Sequence, residues 1–142
     1  GTPDLEAANA SVNKCHRELA ETVDALYITN QTGVNSKNMP TMMAPLLSNR
    51  IPTFSQPGSN MVKFGALMSI AQAGFKDVGE FHAQTAGKSF NGANPGDLPQ
   101  VFEDPSKLSL NLETATKVGY TPSVEILVAA DEIFKTIEQP QE

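Results

Sequence analysis

The chain has no tryptophan, one cysteine, two histidines and little charge: Asp, Glu, Lys and Arg make up only 18% of its 142 residues. Each shortage removes a class of function. A single thiol, Cys15, cannot close an internal disulfide; its place on the apolar side of a helical stretch reads as core filler. His16 and His82 fall on different helices and have no i, i+4 partner, so the three or more ligands of a zinc site are not assembled. Ten basic residues stand against sixteen acidic ones, net −6 with a pI near 4.8. The basic residues are scattered singly, so nucleic acid and anionic membrane surfaces are excluded as partners; both require a basic face. No apolar run approaches the roughly 20 residues that cross a bilayer. The opening Gly-Thr-Pro-Asp has neither the basic nor the apolar region of a signal peptide. The composition also excludes a coiled coil or a collagen-like chain and argues against disorder.

What is present is an alternation of helical and strand-like segments. Residues 3–22 carry apolar side chains at Leu5, Ala8, Val12, Cys15, Leu19 and Val23, the three-four spacing of one buried helix face, with Thr2 as a cap. Val23 to Ile28 is a short apolar run, expected as a strand covered on both faces. Residues 39–47 read as a second helix that Pro45 should kink or shorten. Ile51 to Ser55 and Ala66 to Ala71 read as further strands, with a short helix at 60–64 between them. Phe75 to Phe90 reads as a helix in which Gly79 and Gly87 are explained by close packing. Leu108 to Leu112 alternates as a half-exposed strand. After a turn of helix at 114–118, a last helix opens at Thr121-Pro122, its buried stripe running Val124, Leu127, Val128, Ile133, Phe134 and Ile137. Helices alternating with short apolar strands predict an α/β fold with a mostly parallel sheet flanked by helices.

In such sheets ligands sit beyond the carboxyl ends of the strands. Two predicted strands end there in polar clusters, Thr29 to Thr32 and Ser55 to Ser59. Both contain neutral hydrogen-bonding groups, suited to holding a ligand and poorly suited to moving protons. The other reading is that they are ordinary turn and capping residues. Other motifs fail. Gly87-Lys88-Ser89 has the tail of a phosphate-binding loop, but His82 stands where the first glycine belongs and the segment is helical. Asp77 and Glu80 are one turn apart on a solvated helix face. Asn9-Ala10-Ser11 and Asn30-Gln31-Thr32 match a glycosylation pattern short enough to arise by chance.

The order of three segments, Val23-Asp24-Ala25-Leu26-Tyr27-Ile28, Ile51-Pro52-Thr53-Phe54 and Met61-Val62-Lys63-Phe64-Gly65-Ala66-Leu67, resembles the substrate-binding proteins of ABC transporters. The likeness is to the group with tryptophan- and other aromatic-amino-acid-binding members and the type I periplasmic-binding fold. Leu110-Asn111-Leu112-Glu113-Thr114-Ala115 and Ala129-Ala130-Asp131-Glu132-Ile133 are similar to that family's C-terminal end, and the likeness runs from about Ala7 to Ile137. The resemblance implies one Rossmann-like, three-layer lobe and part of another: the C-terminal portion of a longer, two-lobed protein. About 3–71 would belong to the second lobe, about 72–106 to a hinge crossing and a helix of the first, and about 107–142 to a C-terminal strand and helices. It implies a small-molecule ligand, no cofactor, an ABC permease as partner, and a periplasmic or extracytoplasmic, membrane-anchored whole protein. The helix at 75–90 would expose an apolar face and favour a homodimer of this portion.

By position, Asn30, Gln31 and Thr32 replace the Thr, Asp and Asn of the family's V-P-T-D-N contact loop. Ser55, Gln56 and Ser59 lie in the second contact region, and Gln72 stands where the hinge often carries an acid. The acids that would pair an amine are missing from all three places, so the expected ligand is neutral or differently charged, which puts an α-amino acid in doubt. Two alternatives remain at this point: a ligand-sensing ectodomain of the same fold, and a small flavodoxin-like or Rossmann-like enzyme.

Overall fold

The computed structural model describes residues 4–71, 75–102 and 106–140, with the side chains of residues 71 and 75 left aside. The chain divides into two units, Gly1–Ala71 with Lys107–Glu142, and Gln72–Ser106. The first holds a five-stranded sheet in the order β1 (Leu26–Ile28), β2 (Thr53–Ser55), β3 (Met68–Ala71), β4 (Lys107–Asn111), β5 (Glu132–Phe134). β1, β2 and β3 are mutually parallel, β4 is antiparallel to β3, and β5 is parallel to β4. The protein is therefore α/β with a mostly parallel sheet, as the alternation of elements predicts.

Helices α1 (Leu5–Leu19), α2 (Met39–Ser48) and α3 (Ser59–Lys63) are joined to the sheet by one core, in which Ile28, Met39, Met42, Leu46, Val62 and Ala66 are buried. A smaller cluster builds the opposite face around Leu67, Leu110 and Ala115, with α5 (Leu112–Val118) and α6 (Val124–Ala129) contributing Val118 and Ile126. Three of the helix starts, those of α1, α5 and α6, have a local cause in a capping side chain. Asp4 accepts hydrogen bonds from the Glu6 and Ala7 amides, Asn111 from that of Thr114, and Ser123 from that of Ile126, each satisfying a donor that the first turn leaves free. Asp4 is thus the cap of α1; Thr2 lies outside the described residues.

Several expectations are corrected. The buried stripe of α1 is Val12, His16 and Ala20, one residue on from the stripe predicted through Cys15, and Cys15 is exposed. α1 packs chiefly on α2, so a narrow face suffices and Leu5 is 52% exposed. Pro45 does not shorten α2, which runs through it to Ser48. Strand β1 is covered on one face only: Ile28 is buried, while Tyr27 is 56% exposed and stacks on Phe54 at 5.9 Å. The segment 121–137 is not one helix. α6 stops at Ala129 and the chain turns into β5, leaving Val124 and Val128 exposed and Ile133 partly so. The Asp131 amide bonds the Leu108 carbonyl and the Asp131 carboxylate accepts from the Leu108 amide, two cross-strand bonds that favour the strand over continued helix.

The second unit contains α4 (Phe75–Phe90) and a 3₁₀ turn at Pro95–Asp97. Phe81 packs on Phe102 with ring centres 5.4 Å apart. Gly79 and Gly87 are not explained by close packing: a Cβ at either would meet nothing within 4 Å.

Candidate functional site

The carboxyl ends of β1 and β2 lie side by side, Ile28 opposite Ser55, so the two polar loops emerge next to each other. They are tied together. The Gln56 amide donates to the Ile28 carbonyl at 2.9 Å, and the Asn30 amide donates to Gln56 Oε1 at 3.0 Å. Gln56, expected to contact ligand, thus spends its side-chain oxygen on the neighbouring loop. Its Nε2 makes no hydrogen bond within the described residues and remains able to donate.

Asn30, Gln31 and Thr32 are exposed at the start of a ten-residue connection to α2. Its far end is held by a seam of asparagines. Asn35 Nδ2 donates to Asn9 Oδ1 at 2.9 Å and to the Thr32 carbonyl at 3.2 Å. Asn38 Nδ2 donates to the Gly33 carbonyl at 2.8 Å, and Asn13 Nδ2 donates to Asn38 Oδ1 at 2.9 Å. Gly33 sits so close to α1 that a Cβ there would lie 2.5 Å from the Ala8 carbonyl oxygen. Only glycine allows that approach. The loop is therefore braced at both ends, with residues 30–32 between the braces.

Ser55 closes β2 and is fully buried, with its Oγ unpartnered. A buried hydroxyl left without a partner costs on the order of 1–3 kcal/mol, which makes this one of the few polar groups here that a bound molecule or water would relieve. Ser59 begins α3 and is half-buried, following Gly58, whose φ of 101° is a left-handed value open to glycine. Gln72 lies outside the described residues. The structure thus brings Asn30, Gln31, Thr32, Ser55, Gln56 and Ser59 to one edge of the sheet. From Thr29 to Ser36 and from Ser55 to Val62 no side chain is ionisable.

One acid nevertheless reaches this edge. Phe54 lies beside Met68, which places Ser55 beside Ser69; Ser69 pairs with Ser109, and Ser109 with Glu132. Ser55, Ser69, Ser109 and Glu132 form one row across four strands, on the sheet face that α3 also covers. Because β5 runs against β1–β3, its first residue stands at their carboxyl edge. Glu132 is exposed, and its Oε2 accepts a hydrogen bond from Ser109 Oγ at 3.3 Å. Sequence reasoning missed this residue by placing it inside a helix. Only the turn to strand puts it in the row.

The apolar groove of about 410 Å³ lined by Tyr27, Phe54 and Met68 includes Ala25, Pro52 and Leu67, at the amino ends of the strands. It opens at the opposite edge and is no part of this site.

The family described as ABC transporter substrate binding protein matches residues 6–134. The chain belongs to this family. No curated protein matches it. Among solved structures, a conserved domain protein from Vibrio cholerae is 25% identical with a TM-score of 0.64, covering 88% of this chain and 41% of its own. An ABC domain from Streptococcus pneumonia in complex with L-Trp is 21% identical, TM-score 0.65, covering 89% and 42%. The ligand-free, open substrate-binding protein CD0873 of Clostridium difficile, which has adhesive properties, is 23% identical, TM-score 0.70, covering 90% and 42%. The chain therefore spans less than half the length of each of these proteins.

Proposed function

We propose that this chain is the C-terminal portion of the solute-binding component of an ABC-type importer, which holds a small molecule between two lobes without chemical change. The observation that carries the reading is the pair of neutral polar loops at one sheet edge, cross-braced by the Asn30–Gln56 bond. Braced amides and hydroxyls can hold a solute at low entropic cost because they are already in place. Membership of the substrate-binding family supports the same role.

In this reading residues up to about 71 and from about 107 form the second lobe. Residues of about 72–106 are the hinge crossing and a helix of the first. Asn30, Gln31, Thr32, Ser55, Gln56, Ser59 and Gln72 contribute one wall of the cleft. The whole protein works outside the cytoplasm, anchored to the membrane, and delivers its solute to a permease. No helix among the described residues is long and apolar enough to cross a membrane, so the anchor would lie elsewhere. Phe90 and Val101, 89% and 73% exposed, give residues 75–102 apolar surface on which this portion would pair with a second copy when isolated.

The test is a thermal-shift screen of the full-length protein against amino acids, amines, nucleosides and sugars, followed by calorimetry on each hit. Binding of one solute, weakened at least tenfold by Gln56→Ala and without turnover, is expected. A hit indifferent to Gln56→Ala, or conversion of the bound molecule, would overturn the proposal.

A further inference from the structure

Resting on the solute-binding reading above, we infer that Asn35 is the positioning residue of the loop that carries Asn30–Thr32, and that it takes its own position from Asn9 on α1. The hydrogen bonds that link them have a fixed direction, so each asparagine of the seam has a distinct part.

The direction follows from groups that can act in one way only. The Thr32 and Gly33 carbonyls accept, and the Asn38 backbone amide donates. Asn35 Nδ2 donates to the Thr32 carbonyl at 3.2 Å, while Asn35 Oδ1 accepts from the Asn38 amide at 3.1 Å, so this side chain is oriented from both sides. The second Nδ2 hydrogen goes to Asn9 Oδ1 at 2.9 Å. Asn35 thus joins α1 to a backbone atom of Thr32, a residue assigned above to the cleft wall. The next residue back is held as well, the Gln31 carbonyl accepting from the Val34 amide at 2.9 Å. Asn38 is oriented in the same manner: Nδ2 gives to the Gly33 carbonyl at 2.8 Å and leaves Oδ1 for Asn13 Nδ2 at 2.9 Å. Asn9 and Asn13 share one face of α1 at i, i+4 spacing, so the helix offers the loop one acceptor and one donor. Asn13 Oδ1 is left buried with no partner. An orphaned acceptor is destabilising, so the loop, and not α1, dictates how this amide faces. A contact that only filled space would have no such polarity.

Aspartate is the probe, because at neutral pH it keeps the shape of asparagine, accepts hydrogen bonds and cannot donate them. Hydrogen–deuterium exchange on the full-length protein follows the amides of Asn30, Val34 and Asn38, with those of β4 as internal reference. Asn35→Asp and Asn9→Ala should each speed loop exchange about tenfold, the order expected from losing one or two hydrogen bonds, and leave β4 unchanged. Asn9→Asp should exchange as wild type does, since Asn9 only accepts in the seam. Asn13→Asp and Asn38→Asp should resemble Asn35→Asp, because each loses a donor. Asn9 is half-buried on the helix, so its two variants carry the test even where those at 35 or 38 fail to fold. Exchange in Asn9→Ala equal to wild type, exchange in Asn9→Asp as fast as in Asn9→Ala, or a rise shared equally by β4 overturns the inference. The measurement needs no solute. A loop that responds as expected in a protein that binds nothing in the thermal-shift screen upholds the positioning and overturns the solute-binding reading; the opposite pair of results does the reverse.

Discussion

Replacing Gly33 with alanine tests whether the loop carrying Asn30–Thr32 is set by its contact with α1. The added Cβ would lie 2.5 Å from the Ala8 carbonyl oxygen, 2.6 Å from Val12 Cγ2 and 2.9 Å from the Ala8 carbonyl carbon. The Val12 methyl can turn aside, but the Ala8 backbone is part of a helix and moves only with it. Overpacking of this kind costs about 1–3 kcal/mol. Relief by sliding α1 outward would stretch the Asn9–Asn35 and Asn13–Asn38 bonds, each worth about 1 kcal/mol. The expected loss is therefore roughly 1–3 kcal/mol by either route, a sizeable part of a typical margin of about 5–15 kcal/mol. Urea denaturation followed by circular dichroism measures it. Gly79→Ala is the control: its Cβ meets nothing within 4 Å, so the substitution should be neutral or stabilise α4 by up to about 1 kcal/mol. If Gly33→Ala unfolds within about 0.5 kcal/mol of wild type, the ordinary range for surface changes, the close approach does not constrain the loop and the reasoning fails.

Other predictions follow from the titrating and exposed groups. Glu113 accepts the Ile137 amide at 2.7 Å and pairs with Lys117 at 2.9 Å, and these two bonds, the first being the larger cause, hold its pKa below the usual 4.5. Its stabilisation is complete above that value and is lost as pH falls through the folded one, so Glu113→Gln should flatten the acid limb of a melting-temperature profile; an unchanged limb counts against the bond to the Ile137 amide. His16 is buried with Nδ1 unpartnered, and burial lowers its pKa from 6.5, opposed by a hydrogen bond to the Met42 backbone. The fold favours the neutral ring, so stability present above 6.5 should decline as pH falls through the lower folded value. His16→Gln should remove that decline, and a parallel decline in the variant would refute it. Cys15, the one thiol and exposed, should react with a thiol reagent in the native protein as fast as in urea; protection until unfolding would restore the sequence-based expectation of a core residue.

The elements that were legible in the sequence are those whose signal is local. α4 spans the predicted residues 75–90, and the strands at 26–28, 53–55 and 68–71 fall inside the predicted apolar runs. The candidate loops were legible because polar residues follow apolar runs at strand ends. Cys15 was misplaced because Leu5, Val12, Leu19 and His16, Ala20 offer two overlapping stripes one residue apart, and only the packing of α2 chooses between them. The last segment was misread because Ile133, Phe134 and Ile137 suit a helical face as well as a short strand. Three residues carry too little periodicity to decide.

The sequence by itself determined the α/β class, the alternation of elements, the absence of charge from the two loops and the likeness to substrate-binding proteins. These follow from side-chain spacing and residue order along the chain. Only the tertiary structure decided which face of β1 stays open, that Gln56 braces Asn30, and that Glu132 joins the serine row. Those are consequences of pairing between residues 26 and 23 positions apart, and in the second case of a strand that exists because β4 supplies its hydrogen bonds. An edge strand has no hydrogen-bonding partner within itself, so its position, and that of Glu132 on it, is settled only when the sheet assembles.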